Sequence, residues 1–211
     1  MPIDEAVLAH RADYWTWVEA HATEPERSTL LALRDHWRTV NRGHFGSAMS
    51  EPYITLTEPS APNILGQCCP VSSWGSRLEI RIRPSLLRGT HPHIADGDQH
   101  REGRLRFVAD VVSHEMVHQW AMEIDGRTES SYHGHGPAFA ERANEISRAW
   151  DLPTVVAKRR SGGTEPRAAQ WPHNVRPADY YSGAYLPPVS TSRDTDRCSH
   201  CNGTGRNPKE N

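Results

Sequence analysis

The stretch His114-Glu115-Met116-Val117-His118 constrains this chain more than any other. Histidines at i and i+4 lie about 400° apart around an α-helix, so both imidazoles leave one face about 40° apart. That spacing suits two nitrogens on one tetrahedral Zn2+. Glu115, one residue on, stands beside such a metal and not on it. There a carboxylate can take a proton from a water that attacks a carbonyl. The apolar neighbours Val111, Val112, Met116 and Val117 predict that this helix is buried. A third protein ligand must come from elsewhere if one position is to stay open. The following loop, YHGHGPAF, offers His133 and His135, and the helix after it offers Glu141 and Glu145. The longer HExxHxxGxxH pattern fails, because Ala121 and Ile124 occupy the Gly and His positions.

The rest of the chain predicts an α+β fold. Residues 3–21 read as a helix with Val7, Tyr14 and Val18 on its apolar stripe. Ser28 is the expected N-cap of a second helix, with apolar residues at Leu30, Leu31, Leu33, Trp37 and Val40, which ends over Asn41, Gly43 and Gly46. Three short strands follow: Tyr53–Leu56, Asn63–Cys69 and Leu78–Ile82. The last, LEIRI, alternates cleanly and is the expected edge strand on which an extended substrate would add. Pro84 opens a short helical turn. The HExxH helix is expected over 103–123, and a final helix from Pro137 to Trp150. Asp110, one turn before His114, is either a carboxylate that orients a ligand histidine or a solvated side chain.

These motifs resemble the SprT-like metallopeptidases, the family of the Spartan proteases that degrade DNA–protein crosslinks. That family pairs HExxH with an HGxxF segment, matched here by HEMVH at 114–118 and HGPAF at 135–139. Ile80–Leu87, His36–Gly46 and Asn63–Cys68 are similar to its segments ahead of the site, so the likeness spans about residues 30–150. It implies a helical zincin-like domain with a small three-stranded sheet and HExxH on a central helix. His114, His118 and His135 are then the metal ligands, with Zn2+ as cofactor. Glu115 is the general base, and Phe139 packs under the loop that carries His135. His133 is the competitor for the third position, and Tyr132 and His133 are candidate oxyanion donors. The implied activity is zinc-dependent cleavage of protein or peptide substrates, including DNA-associated or DNA-crosslinked ones.

Charge divides the chain. Residues 1–151 carry 15 basic and 21 acidic side chains, and 152–211 carry 9 and 5. With a mean hydropathy of -0.72, part of the chain is expected to lie outside the core. The expected organisation is an N-terminal helical extension over 1–28, a metallopeptidase domain over 29–151, an irregular Pro/Arg/Tyr-rich tail over 152–197 and a CxxC knuckle over 198–211. The basic, aromatic tail is a candidate DNA contact. Cys198 and Cys201 form one half of a zinc ribbon whose other half is missing. Cys68 and Cys69 read as small buried strand residues, and His91 and His93 as exposed ones. No apolar run reaches the roughly 18 residues of a membrane span, and the acidic N-terminus is unlike a secretory signal. Four cysteines make no disulfide framework. The chain is therefore expected to be cytoplasmic. The competing function is a non-catalytic, zinc-stabilised DNA- or protein-binding adaptor. Glu115 speaks against it, because a purely structural site, closed by four ligands, needs no carboxylate there.

Overall fold

The computed structural model describes residues 5–59, 61–71, 77–94, 101–159, 165–177 and 179–182. The Cys198/Cys201 knuckle lies outside these. Two long helices come first, α1 (Glu5–His21) and α2 (Glu24–His44). Strands β1 (Tyr53–Leu56), β2 (Gly66–Val71) and β3 (Arg77–Ile82) follow, then the short α3 (Pro84–Arg88). The HExxH helix is α4 (Arg101–Trp120), prolonged by a π-helical turn, Ala121–Asp125. The last helix is α5 (Pro137–Ala149). No helix among the described residues is long and apolar enough to cross a membrane.

Helix α4 is central and buried almost all round along its second half. Phe107, Val108, Val111, Val112, Met116 and Val117 are each at most 4% exposed, and burying such a side chain contributes about 1.5–3 kcal/mol. It packs against α2, α3, α5, β2 and β3. Its one buried amide is fully engaged. Gln119 accepts from Trp37 Nε1 at 3.0 Å and donates to the Ser50 carbonyl at 2.7 Å.

The three-stranded sheet is mixed, in the order β1-β3-β2. β1 runs parallel to β3 and β2 antiparallel, with Cys68 opposite Ile80. This corrects the expected role of LEIRI. Leu78, Ile80 and Ile82 are buried as the alternation requires, but β3 is the centre of the sheet. The edge beside α4 is β2, where Pro70 sits without disrupting a ladder on both sides.

Among the boundaries that differ from the sequence reading, two bear on the core. Helix α2 begins at Glu24 with Thr23 as N-cap and Pro25 in its first turn, so Ser28 lies inside it. Proline presets the first helical turn and overrides the later serine. The N-terminal helix also belongs to the common core. Trp15 and Val18 are buried, and the Tyr14 hydroxyl donates to the Ile54 carbonyl at 2.6 Å.

The second difference is larger. The packed fold does not stop at Trp150. Leu152, Val155, Ala168, Trp171, Val175 and Tyr181 are all core residues, Trp171 with 0% exposure. The described residues of 165–182 form a strap of 3-10 turn and bends laid along α4 and α5. Their apolar side chains follow no helical or strand period, yet Ala168, Trp171, Val175 and Tyr181 all meet the core. Among the described residues the core thus continues past the expected end at Trp150.

Candidate metal centre

Helix α4 brings His114 and His118 to one face, as their spacing demands. The loop after the π-turn folds back through a 3-10 turn, Ser130–Tyr132, and delivers His135 to the same point. The three Nε2 atoms form a triangle with sides of 2.9, 3.2 and 3.3 Å. Ligand nitrogens about 2.0–2.1 Å from one tetrahedral ion sit about 3.3 Å apart. Among the described residues these three are the group of side chains that could hold a metal ion.

The tautomers agree with that use. His114 Nδ1 lies 2.6 Å from the Trp171 carbonyl. A carbonyl only accepts, so Nδ1 carries the proton and Nε2 presents its lone pair to the cluster. Burial, then the neighbouring imidazoles, hold His114 well below the usual histidine range. Burial lowers His118 to about 3 and His135 to about 4. All three are thus neutral imidazoles at neutral pH. Phe139 forms the floor, its ring centroid 4.8–5.1 Å from each imidazole.

The loop that carries His135 is held by Glu129. Its carboxylate accepts from Ala138 N–H at 2.7 Å and Phe139 N–H at 3.1 Å, capping the start of α5. A side chain at Gly136 would put a Cβ 2.5 Å from that carboxylate. Gly134 has φ +80° against His118, the left-handed conformation that glycine adopts freely.

Glu115 lies beside the triad and is 5% exposed. Its Oε2 accepts from the Cys68 N–H of β2 at 2.8 Å. Burial drives its carboxyl up to about 8, partly offset by that hydrogen bond. The close approach of β2 requires Gly66, where an added Cβ would stand 2.6 Å from Val111 Cγ1 and 3.1 Å from Glu115 Oε1. An open cleft of about 390 Å³ flanks the triad, lined by His118, Ala121, Met122, Arg127, Thr128 and Glu129 among others.

The other sequence candidates fall outside the cluster. His133 is exposed, with φ 53°. Glu141 faces Arg127 at 3.6 Å, and Glu145 pairs with Arg142. Tyr132 lies under the Arg159 guanidinium. Asp110 is neither solvated nor bonded to a ligand histidine. It is buried and grips the strap, accepting two bonds from Arg176 (2.9 and 2.8 Å) and one from Tyr181 (2.5 Å). His91 is buried at 7% exposure, contrary to expectation, and its Nδ1 accepts from His93 N–H. Cys68 and Cys69 are free thiols, half-buried and buried. The tail aromatics Trp171 and Tyr181 pack on the parent fold.

Sequence reasoning missed the groups that orient the site. Two of them, the Trp171 carbonyl and the Cys68 amide, are main-chain atoms and leave no side-chain signature. Gly66 did leave one, since a glycine inside a strand marks a close approach. Comparisons with protein-family models, with curated proteins and with solved structures find no match to this chain.

Proposed function

We propose that this chain is a zinc-dependent endopeptidase of the SprT-like, zincin-type kind. The observation that carries the reading is the Nε2 triangle of His114, His118 and His135 with Glu115 buried beside it. Three neutral imidazoles suit Zn2+, and three protein ligands leave a position open. Zinc held there would supply Lewis-acid polarisation of a water and of a substrate carbonyl.

The chain's own residues do the rest. Glu115, buried beside the three histidines and held by the Cys68 amide, stands where a general base is needed. It takes the proton of the attacking water on one oxygen while the Cys68 amide holds the other. It then passes that proton to the leaving amine. The outer edge of β2 supports strand addition by an extended peptide, and the cleft beside His118 receives substrate side chains. Flexible or partly unfolded proteins are the substrates such an open cleft accepts. DNA-bound proteins are the subset that the family likeness suggests, with the basic residues beyond 152 as the DNA contact.

The test is cleavage of an unstructured protein and of a DNA-crosslinked protein by the purified chain, with and without DNA. Glu115→Gln is the control. It should keep zinc and fold yet lose cleavage, because the amide is nearly isosteric and cannot act as a base. Full cleavage by Glu115→Gln refutes the mechanism. A zinc-loaded wild type that cleaves neither substrate favours the adaptor.

A further inference from the structure

The strap that follows α5 has no part in the chemistry above, yet its Trp171 carbonyl accepts from His114 Nδ1. Its docking is specific. Asp110 is one turn before His114 on α4, and its ion pair with Arg176 is almost wholly buried, with side-chain exposures of 2% and 9%. Solvent does not screen such a pair, and neither partner can leave alone without stranding a buried charge. The Tyr181 hydroxyl closes the third side of the carboxylate.

The same strap grips from α5. Trp171 Nε1 donates to Ser147 Oγ at 2.7 Å, and the indole stacks on Trp150 at 5.8 Å with planes 9° apart. Trp171 also touches the edge of Phe139, the floor of the triad, at 6.3 Å between centroids. Arg176 lies over Trp150 and Tyr180 as well. One residue therefore meets the metal cluster twice, through its carbonyl on His114 and through its ring on Phe139.

We infer that the strap is a positioning element of the metal centre: the Trp171 carbonyl, clasped to α4 by Asp110, Arg176 and Tyr181, sets the tautomer and ring angle of His114, so metal affinity depends on strap docking. This rests on the reading of the three histidines as metal ligands. Hydrogen-bond partners of ligand histidines typically carry 10–100-fold in metal affinity. Linkage makes the effect reciprocal, so bound metal must stabilise the docked strap by the same factor.

The experiment uses the full chain. Zinc affinity is measured by competition with a chromophoric chelator, and hydrogen exchange is followed at the strap amides of Trp171, Asn174, Val175 and Arg176. These donate to carbonyls within the strap. Arg176→Ala should weaken zinc binding about 10–100-fold and alter the visible spectrum of the Co2+-substituted protein. The paired variant Asp110→Leu/Arg176→Met, which replaces the ion pair by apolar contact, should restore docking and affinity together. In the wild type, zinc should slow exchange at those amides. Affinity within twofold of wild type in an Arg176→Ala protein whose strap exchanges freely overturns the proposal. The wild-type exchange measurement needs no variant, so it decides the matter even if Arg176→Ala does not fold: identical exchange with and without zinc is equally fatal. Failure of the zinc-loaded wild type to cleave peptide would sink the peptidase reading and leave this result untouched.

Discussion

Replacing Gly66 with Ala tests the link between the sheet edge and the proposed general base. The new Cβ would stand 2.6 Å from Val111 Cγ1, against an ordinary carbon contact of about 3.5–4.0 Å. Val111 cannot swing aside. It is 1% exposed, and a β-branched side chain in a helix has one strongly preferred rotamer. Strand β2 must therefore retreat from α4 by about 1 Å. Overpacking of this kind destabilises by about 1–3 kcal/mol, while the loss of glycine freedom in the unfolded chain returns about 0.4–1 kcal/mol. The expected net loss is about 1–2 kcal/mol in urea unfolding. The larger effect is on chemistry. The same retreat stretches the 2.8 Å bond from Cys68 N–H to Glu115 beyond hydrogen-bond range. A misplacement of that size should lower kcat/KM about 100-fold, with zinc stoichiometry unchanged because Gly66 does not touch the triad. A Gly66→Ala protein with wild-type stability and cleavage would show that β2 does not position Glu115.

His135→Ala should abolish stoichiometric zinc binding while His133→Ala retains it, as read by metal analysis after dialysis; the opposite pattern would move the third ligand. Glu129→Ala removes the carboxylate that caps α5 and should destabilise by about 1 kcal/mol, with weaker zinc retention because the loop bearing His135 loosens. In the metal-free chain, His114, His118 and His135 are depressed in the fold, so the unfolded state binds more protons below about 6.5. Their contribution to stability is complete above that pH and is lost as the pH falls towards 4. Glu115, raised to about 8, opposes them with one proton against three, and alone makes stability fall as pH rises from 6.5 to 8. Melting temperature should therefore peak near pH 6.5 and fall at pH 5; a higher value at pH 5 than at pH 6.5 contradicts the assignment.

The clustering of His114, His118 and His135 was legible because its signal is local. His114 and His118 share a helix turn, and His135 opens a short segment whose glycine and proline mark the start of α5. Helices with apolar stripes, α2 and α5 above all, were legible for the same reason. Strand β2 began three residues later than expected because Gly66, two cysteines and Pro70 supply no alternation. The order of the strands is a property of pairing across the sheet, which no periodicity reports, so β3 was misplaced at the edge. The strap was illegible for a further reason. Arg176 reads as one more basic residue in a polar tail until Asp110, 66 positions earlier, is known to be buried opposite it. An ion pair of that separation has no signature in either segment alone.

The contact between Trp171 and His114 also sets an order of events during synthesis. The three clustered histidines are complete once residue 135 has been made, but the carbonyl bonded to the first of them is 36 residues further on. At about 5–20 residues per second that interval is roughly 2–7 s. Through it a nascent chain holds all three imidazoles with His114 free to turn. A histidine cluster built this way is not finished by the last of its imidazoles; it reaches its final geometry only when a later segment arrives and lies down along the helix.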